Sequence, residues 1–316
     1  MTGRRLFICA FLLAVSAVPC AGTVLAGAGH GHAHSRTEIA QTREAKIATQ
    51  AVAGSVSILI GQGGFTGGNV AVLPGPDGLL IVDDKLSDFS EKLGKALDAF
   101  GKGRPKFVLN THWHFDHTGG NQKLGDAIIV AHDHVRATMS KPAEMKSLGR
   151  VIPASPPEAL PDVTYSKSLT LHFNGEEIQV THLPSGHTGG DSIVYFKTTN
   201  VLHLGDLFFN GMFPFCDTEY GGNAFGMVHN IGEILKTFPA DAKVIPGHGP
   251  LATMKDLKAY HDMLIATTAH VQAGIKAGQD LKALQAAGFP AQWKTWEWAF
   301  IDSKMWIGLI HASLNK

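Results

Sequence analysis

Four side chains of metal-binding type occur within six residues, in the stretch 110–121 that reads NTHWHFDHTGGN. They are His112, His114, Asp116 and His117. Imidazole and carboxylate groups are common ligands of zinc and related divalent metals. Two of the histidines are two residues apart, so on extended backbone their rings point to the same side. This spacing predicts metal binding rather than a polar surface loop.

Short apolar runs that read as buried strands precede this stretch and three later motifs. Strand 105–109 (PKFVL) leads into the histidine cluster, and Thr118-Gly119-Gly120 then allows a tight turn. The later motifs are Ser185–Gly190 with His187 after strand 177–183, Gly205-Asp206 after 200–204, and Pro246–Pro250 with His248 after 243–245. Loops at strand ends carry binding residues on a rigid scaffold, so we expect the four loops to meet at one edge.

The motif order H-x-H-x-D-H, Gly-His-Thr, Gly-Asp and Gly-His-Gly resembles the metallo-β-lactamase superfamily of dinuclear metal hydrolases. The resemblance runs from about residue 55 to residue 260. It implies an α/β fold, a four-layer αββα sandwich with two packed mixed β-sheets flanked by helices. The sequence itself also shows two series of strand-like runs, each ending with ligand-type residues, which indicates two packed sheets.

The resemblance implies a dinuclear metal site and a role for each ligand-type residue. It assigns His112, His114 and His187 to one metal, Asp116, His117 and His248 to the other, and Asp206 to a bridging position. Two zinc ions are the expected cofactors, with iron or manganese as alternatives. Two such ions about 3.5–4 Å apart can share a water that ionises near neutral pH, and the hydroxide would attack a carbonyl. Asp116 is the expected catalytic residue, because it can also orient that hydroxide.

Residues outside the ligand set are also expected to contribute. Asp83, at the end of strand 79–82, resembles the family's carboxylate that orients a metal-bound imidazole, and it fits better than Asp84. Phe65, in the glycine-rich stretch 63–68, resembles a substrate-gripping hairpin tip. The segment 208–222 follows Asp206 directly, so its aromatic residues are expected to form a wall of the substrate pocket. The two taken as wall residues are Phe213 and Phe215.

The composition narrows the class of function. Lys plus Arg equals Asp plus Glu at 27 each, so the chain lacks the basic excess of nucleic-acid-binding proteins. A small-molecule substrate is therefore expected. Hydrolysis of an ester, thioester, lactone or β-lactam is the first prediction. The alternatives are a β-lactamase proper, an iron-dependent persulfide-type oxidoreductase, and a metal-carrying binding protein without turnover. The sequence leaves the oligomeric state open.

The first 26 residues are predicted to be a signal peptide. Arg4 and Arg5 precede a thirteen-residue apolar run, and Val24-Leu25-Ala26 offers small residues for cleavage. The run is shorter than an ordinary membrane span, so no integral membrane segment is expected after cleavage. Export is therefore predicted, to a bacterial periplasm, by a general or a twin-arginine signal.

Two further segments are predicted after the cleavage site. Residues 27–36 carry three histidines among small residues and are expected to be disordered, since they cannot bury apolar area. Residues 37–316 are expected to form a single domain that ends in helices at 252–277, 281–287 and 296–314. Four tryptophans lie near or within the last helix, and packing in the core is their expected role. They are Trp293, Trp296, Trp298 and Trp306.

Overall fold

The structure is a computed structural model that describes residues 44–314. The predicted signal peptide and the histidine-rich segment 27–36 lie outside the described residues. Within 44–314, no helix is both long and apolar enough to cross a membrane. The described residues belong to one compact unit.

The described residues form fifteen named strands and seven named α-helices. The strands are β1 (Lys46–Ala53), β2 (Val56–Gln62), β3 (Val70–Gly75), β4 (Gly78–Val82), β5 (Pro105–Leu109), β6 (Ile128–His132), β7 (Ala143–Met145), β8 (Arg150–Ile152), β9 (Val163–Tyr165), β10 (Ser168–Phe173), β11 (Glu176–His182), β12 (Ser192–Phe196), β13 (Val201–His203), β14 (Lys243–Ile245) and β15 (Ala252–Thr253). The α-helices are α1 (Ser90–Asp98), α2 (Phe115–Thr118), α3 (Asp133–Met139), α4 (Ala224–Thr237), α5 (Met254–Lys276), α6 (Leu281–Ala287) and α7 (Ser303–Ser313).

Two mixed sheets form the centre of the molecule. The first has seven strands in the order β1-β2-β3-β4-β5-β6-β9, and the second has six in the order β10-β11-β12-β13-β14-β15. Strands β4, β5, β6 and β9 run parallel, as do β13 and β14. Parallel neighbours end at the same edge of a sheet, so the loops after β4 and β5 lie together, as do those after β13 and β14.

The side-chain alternation along β2 shows how the layers pack. Val56 and Ile58 point into a core between the two sheets, whereas Leu59 points to the other face and packs with Leu93 of α1. This is the two-residue period of a strand buried on both faces. A third core lies between the second sheet and the C-terminal helices. Three cores separate four layers, which confirms the predicted αββα arrangement.

The structure differs from the sequence prediction most at the two ends of the described chain. The edge strand β1 was not predicted, because it is largely exposed and lacks a clean apolar alternation. The last helix was predicted over 296–314, but α7 begins at Ser303. Asp302 accepts a hydrogen bond from the backbone N–H of Met305 at 2.8 Å, which caps the helix there. Residues 297–302 therefore form a loop.

Candidate metal centre

Three histidines direct ring nitrogens to one point. His114 Nδ1 lies 3.2 Å from His112 Nε2 and 2.8 Å from His187 Nε2. All three side chains are buried. Tetrahedral zinc with bonds of about 2.0–2.1 Å places its ligand atoms about 3.3 Å apart. The three nitrogens therefore have the spacing of ligands to one ion.

A second group of three donors lies beside the first. His117 Nε2 lies 3.4 Å from His248 Nε2. Asp116 Oδ2 lies 3.5 Å from the former nitrogen and 3.2 Å from the latter. These separations again match the edges of a metal tetrahedron. Asp116 and His117 stand together because the four-residue helix α2 turns the chain directly after the β5 loop.

The carboxylate of Asp206 lies between the two groups. Its Oδ1 is 3.0 Å from His117 Nε2, and its Oδ2 is 3.4 Å from His248 Nε2 and 3.5 Å from His187 Nε2. Oδ1 is buried and, within residues 44–314, accepts no hydrogen bond of good geometry, although His117 Nε2 is close to it. A buried anionic oxygen without a donor is costly unless a cation neutralises it. The donor set is therefore compatible with a dinuclear metal site, in which Asp206 would lie between the two groups.

Glycines make room for these side chains. A Cβ on Gly247 would lie 2.0 Å from Asp206 Oδ1, and a Cβ on Gly68 would lie 2.1 Å from a ring carbon of His117. Such distances are far below any real contact. The Gly-His-Gly motif and the glycine-rich loop before β3 thus leave space for the ligands themselves.

Asp83 occupies the position that the resemblance predicts. Its Oδ2 lies 2.8 Å from His117 Nδ1, and the backbone and hydroxyl of Thr111 both donate to its oxygens at 2.8 Å. The carboxylate fixes the ring so that Nε2 faces the centre. Asp84 instead accepts from the backbone N–H of Gly120 at 2.8 Å.

Asp217 holds another ligand, and the sequence analysis did not identify it. Its Oδ2 lies 2.9 Å from His114 Nε2, which leaves Nδ1 for the centre. The backbone N–H groups of Glu219 and Tyr220 donate to its Oδ1 at 3.2 Å and so fix the carboxylate. Asp217 lies in a segment without a recognisable motif. A contact across 103 residues leaves no local signal in the sequence.

Lys85 is a second residue that the sequence analysis missed. It is fully buried, and its Nζ donates to the carbonyl of Gly68 at 2.8 Å and to Thr66 Oγ1 at 3.3 Å. Burial lowers the pKa of Lys85 to about 7. The side chain ties the loop 63–68 to the strand end that carries Asp83.

The two groups of donors differ in their electrostatics. Burial lowers the pKa of His187 to about 4, and it also lowers the pKa of His112. Burial alone would lower the pKa of His248 too, but the carboxylates of Asp206 and Asp116 raise it to about 9. The carboxylates of Asp206 and Asp116 therefore outweigh burial at His248, whereas burial outweighs the carboxylates at His187.

The three predicted substrate residues lie in different environments. Phe65 is 45% exposed and stacks on His248. Phe215 is buried, with its ring 5.8 Å from that of His114. Phe213 is fully buried and packs 5.6 Å from Phe289, so it lies in the core and does not face a pocket. Residues two apart share a side only on a regular strand, and the structure assigns no strand to 213–215, so the two rings separate.

A model of the metallo-β-lactamase superfamily matches residues 63–260, more than half of the chain. The chain belongs to the metallo-β-lactamase superfamily. It is 29% identical over 190 residues to an uncharacterised protein of Aquifex aeolicus, covering 58% of this chain and 88% of that protein. It is 30% identical over 141 residues to a hydroxyacylglutathione hydrolase of Shewanella baltica, covering 45% of this chain and 46% of that enzyme. About half the length of the Shewanella enzyme is therefore matched.

A solved structure supports the fold. The metallo-β-lactamase from Pontibacter korlensis superposes with a TM-score of 0.56 at 19% identity, covering 69% of this chain and 99% of that one. Family membership and the His and Asp cluster support the prediction of a metal-dependent hydrolase. Trp298 and Phe300 lie beyond the matched residues 63–260.

Proposed function

We propose that this protein is a dizinc hydrolase that cleaves a carboxylic thioester or ester. The observation that carries the proposal is the position of Asp206. Its two oxygens lie 3.0 Å and 3.5 Å from imidazole nitrogens of different donor groups, at His117 and His187. With a carboxylate at this position in place of a thiolate, the site resembles that of thioesterases and lactonases more than that of typical β-lactamases.

Each residue has a defined task in this proposal. Two bound zinc ions would supply a nucleophile near neutral pH and polarise the scissile carbonyl. His112, His114 and His187 would hold one ion, and Asp116, His117 and His248 would hold the other. Asp116 is also partly accessible, at 8% exposure. Its carboxylate can therefore accept a proton from a group bound at the metal centre.

The named relatives support thioester or ester cleavage. Several curated relatives are named hydroxyacylglutathione hydrolase, at 24–30% identity. The resemblance to solved β-lactamases below 25% identity concerns the fold only. We therefore propose thioesters and esters, rather than β-lactams, as the preferred substrates.

Parallel turnover assays on zinc-supplemented protein test this order. The substrates are an acetyl thioester, an acetyl ester, a lactone and a chromogenic cephalosporin. We expect the thioester or the ester to give the highest kcat/KM. Turnover of the cephalosporin alone would replace the proposal with a β-lactamase, and turnover only with bound iron and a persulfide would replace it with an oxidoreductase.

A further inference from the structure

Aromatic rings continue outward from the ligand rings. Phe65 lies nearly parallel to His248, with centroids 5.6 Å apart and planes 21° apart. Phe209 also lies nearly parallel to His248, at 5.1 Å and 24°. Phe209 is buried, whereas Phe65 is 45% exposed. The His248 imidazole is therefore held by two rings, one of which is open to solvent.

The ring contacts continue from Phe209 into the C-terminal loop. Trp298 lies 6.4 Å from Phe209 and 5.5 Å from Phe300. Phe300 in turn lies 5.8 Å from Phe215. The C-terminal loop therefore joins two aromatic residues of the segment 208–222.

Phe215 connects the rings of the C-terminal loop to the metal centre. Its ring lies 5.8 Å from His114 and 5.9 Å from His187, both donors of the first group. A continuous series of ring contacts therefore connects two ligands of the metal centre. It runs from His248 through Phe209, Trp298, Phe300 and Phe215 to His114. We call Phe65, Trp298 and Phe300 the aromatic rim.

Hydrogen bonds fix the loop that carries Trp298 and Phe300. The indole N–H of Trp298 donates to the carbonyl of Phe213 at 2.9 Å, and the N–H of Phe213 donates to the carbonyl of Trp296 at 2.7 Å. The backbone N–H of Trp298 donates to Ile301 at 3.1 Å, and Ile301 is fully buried. A rim fixed in this way does not have to be ordered when a ligand binds, which favours affinity.

The exposure of the rim distinguishes it from the core. Seven large hydrophobic side chains are exposed among residues 44–314, and the two aromatic ones are Phe65 and Phe300, at 45% and 43%. Both belong to the ring path around the metal centre. Ligand sites are lined mainly by apolar and aromatic side chains with a few polar groups that fix orientation. The rim and the metal centre together have that composition.

We propose that the aromatic rim binds an uncharged aromatic or branched apolar group joined to the scissile carbonyl, so that the substrates are arylacyl or bulky acyl thioesters and esters. This inference rests on the proposed function for the bond that is cleaved. Trp298 and Phe300 supply the selectivity, and the seven polar donors supply the chemistry.

A selectivity ratio tests the inference. The kcat/KM values of phenylacetyl and acetyl thioesters of N-acetylcysteamine are compared on zinc-supplemented protein. We expect the parent to favour the phenylacetyl substrate, and Phe300→Ala to lower the ratio about tenfold, as for lost apolar contacts in a pocket. A parent ratio of about one, or a ratio within about twofold of the parent in Phe300→Ala, would overturn the inference.

Ile265→Ala is the matched control, because Ile265 is 44% exposed and lies on the surface of α5 with Val228 and Lys258 rather than in the ring path. Its ratio should equal that of the parent. Phe65→Ala provides a second variant on a different element, and we expect the same direction as for Phe300→Ala. Phe65→Ala with the parent ratio would contradict the placement of Phe65 in the rim.

Binding gives a readout that does not need turnover. Tryptophan fluorescence is titrated with phenylacetate and with acetate, using metal-free and zinc-supplemented protein. We expect saturable quenching with phenylacetate, about tenfold weaker in Phe300→Ala and unchanged in Ile265→Ala. Equal affinities in all three proteins would overturn the inference. A parent that hydrolyses neither these thioesters nor the corresponding esters would refute the proposed function, and the titration would still decide the role of the rim.

Discussion

The metal centre and the aromatic rim lie next to each other but differ in the polarity and the exposure of their side chains. The centre consists of buried nitrogen and oxygen donors at strand ends, and four of its imidazoles make a hydrogen bond on the side away from the centre, as His117 does with Asp83. The rim consists of half-exposed rings, two of which come from a loop beyond residue 297. We infer that the centre determines which bond breaks and the rim determines which acyl group is accepted.

Removal of a ligand should give the largest effect. His114→Ala deletes a nitrogen that lies 2.8 Å from His187 Nε2. The metal site formed by the three histidines would therefore lose one of its ligands. We expect loss of about one metal equivalent and of all measurable turnover. Metal content and kcat are measured together. His229→Ala, an exposed histidine on α4, should change neither; full metal content in His114→Ala would contradict the assigned ligand set.

Asp116→Asn separates catalysis from metal binding within the centre. The amide keeps the shape and one oxygen but removes the charge that accepts a proton. We expect both metals to remain and kcat to fall by about 10²–10⁴-fold, as is typical when a positioned proton acceptor is lost. Elemental analysis and kcat on the same sample decide the question. Near-normal kcat with both metals bound would show that Asp116 is only a ligand.

The sequence could predict the centre because its signals are local. His112, His114, Asp116 and His117 lie within six residues, and the other three ligands each lie in a short glycine motif after a strand. The layers followed from apolar runs of strand length, and helix 281–287 was predicted with its observed bounds. These features depend on neighbours in the chain, which periodicity and turn residues report.

The remaining parts depend on contacts between distant residues. Asp217 holds His114 across 103 residues, and Trp298 reaches Phe209 from a loop that was predicted to be helical. The helix pattern was misleading because the Asp302 cap starts α7 later than the apolar residues suggest. Phe213 and Phe215 were indistinguishable by type, and only the backbone direction places one in the core.

Asp217→Asn should have a smaller effect on the same centre. The change weakens the acceptor on His114 Nε2, so the ring is held less firmly. We expect metal affinity to fall about 10–100-fold, as for other carboxylates behind metal-bound imidazoles. Competition with a chelator measures the affinity. Asp280→Asn, at the exposed N-terminal cap of α6, serves as the control. Equal metal affinity in the two variants would show that Asp217 does not position His114.

Lys85→Met should give the smallest effect. It should act on the loop 63–68, which carries Phe65 of the aromatic rim, and not on the metal ligands. The variant removes the donor to the Gly68 carbonyl at 2.8 Å, so the loop that carries Phe65 loses its buried tie. We expect faster amide hydrogen exchange in residues 63–68, with metal content unchanged. Hydrogen exchange followed by mass spectrometry checks this. Unchanged protection of the loop would show that Lys85 does not hold Phe65 in place.

The central claim is that two metal ions bound by seven side chains carry out the hydrolysis. The most direct measurement is elemental analysis of zinc-supplemented protein, coupled to thioester turnover before and after chelation. We predict two zinc ions per chain, loss of turnover on chelation, and its return with added zinc. One equivalent or fewer, iron as the dominant metal, or turnover that survives complete metal removal would contradict the account.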